Sequence, residues 1–246
     1  MTAREATIHH LKQLKGQPLK AQLSYILTSF RVPIVIALVA IYILSSLIVH
    51  WVTQKPTVLN LSYINTIVSE EGLNSYLQDF AQAHNIDTDK ATLLTDPFYI
   101  GTETDAGYEY LQSFMAKQAA GSLDITVSGQ DTLLDFAYQS YFCDLRELLT
   151  EAQLNQLSSA ILYVDLDFME QIDPYEPLPS TYPDPTKPEE MENPIPFAIM
   201  LQSDWTFSQM CLPDTYQKNA IAVIVNAGNM ENAKGFLQFI LDNKGS

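Results

Sequence analysis

Two carboxylates one residue apart, Asp165 and Asp167, follow the apolar run Ile161 to Val164. Alternate residues of a strand share a face. The pair is therefore a candidate acid/base couple of the glycosidase kind. In a chain with 29 acids, surface solvation is the simpler role. Histidine chemistry has little to work with. His9, His10 and His50 precede the bulk of the chain, and His84 stands alone after them. It falls at a predicted helix end, where a cation meets the carbonyl end of the dipole. The chain has no Gly-x-Ser-x-Gly, His-Glu-x-x-His, Walker loop or Gly-x-Gly-x-x-Gly. Neither Asp165-Leu166-Asp167 nor Asp87-Thr88-Asp89 has the glycine and spacing of a calcium loop. The expectation is a non-enzyme without a metal or a cofactor.

Binding chemistry is better represented. Trp205 sits in the polar stretch QSDWTFSQ, after a predicted strand. Tyr99, Tyr141 and Phe142 lie at predicted strand or helix ends. Such rings stack on a sugar or another flat apolar face, although core packing is the default for each. Ser128 and Gly129 close another predicted strand. Ligands of α/β sheets bind beyond strand carboxyl ends. The candidate ligand residues are therefore Tyr99, Ser128, Gly129, Tyr141 and Trp205. Arg146 is the sole Arg after Arg31. It suits an anion, but Asp144 and Glu147 beside it favour a structural ion pair. Cys143 and Cys211 are the two cysteines. An exported compartment permits a disulfide between them, and two buried free thiols are the equal alternative.

These residues need elements to position them. Thr57 to Ile64 (TVLNLSYI) reads as a strand. Ser69 caps a helix whose Leu73, Tyr76, Leu77, Phe80 and Ala81 share one face. Ala91 to Ile100 reads as a strand broken by Pro97. The next helix opens at Thr104-Asp105, with Tyr108, Leu111 and Met115 inward and Gly121 as its stop. Leu123 to Ser128 is a strand, and Asp131 is a candidate cap for a helix to about Ser140. Short helices follow at 144–149 and 151–157, with strands at 161–164 and 196–201. Ile221 to Val225 is apolar throughout, as in a strand buried on both faces. Asn229 caps a last helix carrying Ala233, Phe236, Leu237, Ile240 and Leu241. Strands alternating with helices predict an α/β sheet with parallel pairs. Residues 173–196 hold eight of the 13 prolines and six acids. They are expected to form a projecting, partly extended loop.

Val32 to Val52 carries no charged residue over 21 positions. A helix of roughly 20 apolar residues spans a bilayer core. Residues 1–31 hold five basic residues against Glu5, a net of +4, and the remainder is net −20. Positive flanks stay cytoplasmic. This predicts a cytoplasmic tail at 1–31, a transmembrane helix at 32–52, a stalk at 53–56 and an extracytoplasmic domain at 57–246. Trp51 suits the outer interface. The acidity of the outer part argues against nucleic acid.

From Leu123 onward the pattern resembles extracytoplasmic solute-binding proteins of bacterial ABC importers. The residues that carry this are LDITVSG before a helix, the step Tyr141-Phe142-Cys143-Asp144-Leu145 into a short helix, and the closing IAVIVNAGNMENAKGFLQFIL. The strand-helix-strand at 57–100 fits the opening unit of the same fold. The resemblance implies a periplasmic-binding-protein-like mixed or parallel sheet. It also implies a small polar solute or sugar as ligand and an ABC permease as partner. The alternative is a cell-envelope interaction or scaffold protein that holds no ligand.

Overall fold

The computed structural model describes residues 18–20, 27, 31–101, 105–172, 179, 181–213 and 218–244, with backbone alone at 50–53 and 213. The side chain of Trp51, most of the 1–31 tail and residues 173–178 of the Pro-rich segment lie outside the described residues. The chain divides into two units, 1–54 and 55–246.

The first unit contains helix α1 (Arg31–Thr53). Its window Arg31–Val49 has a mean hydropathy of 2.8, and none of that window is buried. Val32, Ile36, Val39, Ile43, Leu44 and Leu47 are all exposed. A helix apolar all round suits a lipid surrounding. At 23 residues it is about 35 Å long, enough to cross a hydrocarbon core. The same length and composition fit a signal sequence.

The second unit is built on one six-stranded mixed sheet in the order β3-β1-β4-β8-β6-β5. The strands are β1 (Thr57–Ile64), β3 (Thr92–Phe98), β4 (Ile125–Gly129), β5 (Ile161–Asp165), β6 (Pro194–Met200) and β8 (Asn219–Val223). β1 runs parallel to β3 and to β4, while β8 runs antiparallel to β4 and β6. β5 pairs antiparallel with β6. Every residue of β8 is buried, as expected for Ile221 to Val223, but the strand starts at Asn219 and the apolar run outlasts it, with Val225 exposed. A second, two-stranded sheet joins β2 (Thr66–Val68) to β7 (Cys211–Pro213).

Helix α2 (Glu70–Ala83) buries Leu73, Tyr76, Leu77, Phe80 and Ala81, the face read from its spacing, and Ser69 accepts from the Gly72 amide. Helix α3 (Asp105–Ala119) is turned relative to expectation. It buries Gly107 and Phe114, while Tyr108 and Met115 are exposed. Phe114 wins the inward position because Phe98, Phe136 and Tyr141 surround its ring at 4.8–6.1 Å. Helix α4 (Gln130–Ala137) follows Gly129 without a side-chain cap. The short helices α5 (Leu145–Leu148) and α6 (Glu151–Gln156) begin at Asp144 and at a Thr150/Gln153 capping box. Helices α7 (Leu166–Met169), α8 (Thr206–Met210) and α9 (Met230–Asp242) complete the unit.

At the amino end of the parallel strands, Asp124 is fully buried. Its carboxylate accepts from the Asn60 amide at 2.7 Å, the Asn229 amide at 2.9 Å and Asn229 Nδ2 at 3.1 Å. Asn229 thus serves the sheet and makes no side-chain cap on α9. Gly121, at φ +64°, turns the chain out of α3, and its carbonyl packs against Gly228.

Pro97 does not break β3. It sits in an edge strand, where a missing amide hydrogen is tolerated. Pro194 and Pro196 both fall inside β6, which β8 joins only from Ala198 to Met200. The described part of the Pro-rich segment, 181–193, does not project. Tyr182 packs on Tyr138 and Phe168 at 5.1 and 5.4 Å. The Pro185 carbonyl accepts the Tyr163 amide at 2.8 Å, so the segment straps the outer edge of β5.

Candidate functional site

The strap is held by the acid pair read from the sequence. Asp165 is buried, and its carboxylate accepts the amides of Asp167 (3.2 Å), Glu192 (3.0 Å) and Asn193 (3.0 Å). Asp167 lies in the first turn of α7, not on the strand face shared with Asp165, and it takes Asn193 Nδ2 at 3.1 Å. This is the geometry of a structural clamp. Asp87 likewise closes a turn by accepting the Asp89 amide. Arg146 forks onto Asp144 at 2.6–3.0 Å, the structural ion pair. His84 ends α2, its ring on Phe80 and Phe239. Among the described residues no group of three His, Cys, Asp or Glu is placed to hold a metal.

The five candidate ligand residues do not converge. Ser128 and Gly129 end β4, and Tyr99 lies just past β3. Tyr141 is at the opposite end of the sheet, where its carbonyl accepts the Val225 amide. Its ring lies parallel to Phe114. Trp205 is buried, and the Lys244 ammonium sits 4.7 Å from its ring centre. Tyr99 is 53% exposed and meets Tyr110 edge-on.

The chain crosses from one side of β1 to the other between β3 and β4, so the crevice expected at a strand switch would open between β1 and β4. It is closed. Ser128 is fully buried and donates to the Ile64 carbonyl at 2.9 Å. Thr66 Oγ1 donates to the same carbonyl and lies 3.4 Å from Asn219 Oδ1. Asn219 Nδ2 in turn donates to the Cys211 carbonyl. The small β2/β7 sheet therefore plugs the switch point.

The open crevice lies one step along, past the carboxyl end of β6. It encloses about 470 Å³ between β6, α8 and β7. Gln202, Ser203, Ser208, Gln209, Lys218 and Asn219 supply its polar lining. Ser203, Ser208, Gln209 and Lys218 make no side-chain hydrogen bond to the protein among the described residues, which leaves two hydroxyls, one amide and one ammonium for a ligand. Gly129 pairs with Asn219 at its rim, and the Trp205 amide donates to Gln202. The signal for this lining was the stretch QSDWTFSQ itself. Its Trp205 and Phe207 turn inward, and Gln202, Ser203, Ser208 and Gln209 at its two ends line the crevice.

Cys211 borders the crevice, and burial pushes its thiol up to about 12. That thiol is no nucleophile near neutrality. Cys143 is also a buried free thiol. The disulfide alternative fails on distance. The Cys143 amide bonds Val223 at one end of β8, and the Cys211 carbonyl bonds Asn219 at the other. Four residues of strand separate them by about 13 Å, well beyond disulfide reach.

No protein-family model matches the chain, and no curated protein matches it. Among solved structures, the chain is similar to an ABC substrate-binding protein, Lmo0181 from Listeria monocytogenes, in complex with cycloalternan. The identity is 10% and the TM-score 0.30, over 44% of this chain. The match spans 29% of that protein's length. A likeness of this size identifies neither family nor ligand.

Proposed function

We propose that the protein is a membrane-anchored, non-catalytic binding module of solute-binding type. The carboxyl-end crevice holds a small polar solute such as a sugar. Four uncommitted polar side chains around about 470 Å³ carry this reading. That volume is in the range of small-molecule sites, and amide and hydroxyl linings orient polar ligands. α1 is the anchor, with the basic tail cytoplasmic and the acidic unit extracytoplasmic, as the charge asymmetry favours. An ABC permease is the partner that this role calls for.

One observation favours a second reading. The unit has one large sheet, and no second lobe among the described residues faces the crevice. A crevice without a facing lobe also suits a cell-envelope interaction protein that has no solute. A thermal-shift screen of the detergent-solubilised chain separates the two. A sugar that raises Tm in the parent but not in Gln209→Ala or Ser208→Ala supports the solute reading. No shift with any sugar overturns it.

A further inference from the structure

A second cleft, of about 530 Å³, lies at the amino end of the parallel strands, opposite the crevice described above. Asn60 lines it and is 97% buried. Its Nδ2 donates to Asp96 Oδ2 at 2.9 Å and to the Ser122 carbonyl at 2.7 Å. Both partners are acceptors, so the amide orientation is fixed. Its Oδ1 is then left buried with no partner in the protein. Buried amide oxygens are rarely left so, and each such case calls for a donor.

The charges around it are specific. Lys117 Nζ lies 2.8 Å from Asp96 Oδ2, with both side chains partly exposed. Asp96 Oδ1 has no partner among the described residues, and Lys117 makes only this ion pair and a contact 5.6 Å from the Phe98 ring centre. The cleft thus offers one unfilled carboxylate oxygen, on the partly exposed Asp96, beside an ammonium with donors to spare, over a buried amide whose own oxygen is unpaired. A lone metal cation is repelled by Lys117, and a multivalent anion by Asp96 and the buried Asp124. Leu94 is the sole large apolar side chain in the lining, so charge and hydrogen bonding dominate what the cleft can recognise. A ligand carrying both an ammonium and a carboxylate fits each of these groups.

We propose that the amino-end cleft binds a small free α-amino acid. The ligand ammonium would sit on Asp96, and its carboxylate would take Lys117 from Asp96. The site is independent of the carboxyl-end crevice and does not rest on that reading.

The test is calorimetric titration of the full chain in detergent with glycine and L-alanine. Methylamine, acetate and glucose serve as partial or neutral probes. Saturable binding of an amino acid, at least about tenfold tighter than methylamine or acetate, is expected. Lys117→Met and Asp96→Asn should each weaken it by about tenfold or more. Lys218→Met in the other crevice should leave it unchanged. Because Lys117 is 40% exposed, its loss should not unfold the protein, which a matching far-ultraviolet spectrum verifies. Four results would overturn the proposal: no heat with either amino acid up to about 10 mM, affinity unchanged in Lys117→Met, binding lost in Lys218→Met, or glucose as the better ligand.

Discussion

The Ser128 hydroxyl donates a 2.9 Å hydrogen bond to the Ile64 carbonyl, across the gap between β4 and β1. That contact, with the β2/β7 sheet above it, closes the position at which an α/β sheet would ordinarily admit a ligand. Thr66 keeps a second bond on the same oxygen. Ser128→Ala should therefore cost only about 1 kcal/mol, read by urea unfolding. It should leave sugar affinity unchanged. An affinity loss would mean that the switch point opens in solution.

Asp165 is a stronger test of what holds the edge of the sheet. Its carboxylate satisfies three amides from α7 and the strap. Asp165→Ala strips all three of a charged acceptor and should destabilise by about 3 kcal/mol. Limited proteolysis should then cut within 181–193 faster than in the parent. Unchanged stability would contradict the clamp.

The glycines at 121 and 228 allow a backbone approach that no other residue permits. A Cβ on Gly228 would lie 2.5 Å from the Gly121 carbonyl oxygen. Gly228→Ala must displace one loop and should cost roughly 1–3 kcal/mol, seen as a lowered Tm. Gly101, whose added Cβ meets nothing within 4 Å, is the control and should be near neutral as Gly101→Ala.

Alkali should unfold the protein in a defined window. Burial raises the thiols from 9.0 to about 11 at Cys143 and about 12 at Cys211. A raised folded-state value makes the folded chain hold its proton longer than the unfolded chain. The associated stability is complete below pH 9 and falls as pH rises toward about 11 to 12. Tyr76 and Tyr138 are shifted upward too, first by burial, and add to the same slope. Urea midpoints taken between neutrality and alkali should show this decline. Maleimide should label neither cysteine in the native protein at pH 8.

The orientation has its own measurement. Protease added to intact cells should remove the acidic unit and leave α1 in the membrane pellet. Protection of the unit, or a soluble chain in the absence of detergent, would refute the anchored arrangement.

Much of this architecture was legible because local and global demands agree. The apolar spacing of α2 named all five residues that it buries, and the eight residues of β1 were read with both boundaries correct. Helix α3 was misread because Tyr108 and Met115 are as apolar in spacing as Phe114. Only the surrounding rings decide between them. β2 and β7 are three residues each, too short to carry a period, so the plug was invisible. In the polar run around Trp205 the indole is the candidate that the sequence offers, and it is buried. The glutamines and serines of that run proved to be the part that lines an opening. The proline-rich composition predicts an extended loop, and among its described residues there is a 3-10 turn at Pro188–Glu190 and the start of β6, while Tyr182 docks on Tyr138, which composition does not encode.

The strap over β5 bears on how copies of the chain behave when crowded. A bare outermost strand is a template on which an identical neighbour can continue the ladder, and repetition of that event yields a filament. Here the Pro185 carbonyl already occupies the Tyr163 amide on that flank, and at the far flank Pro97 withholds a donor from β3. Both margins of the sheet thus resist end-on growth, and the segment richest in proline is itself one of the two stoppers.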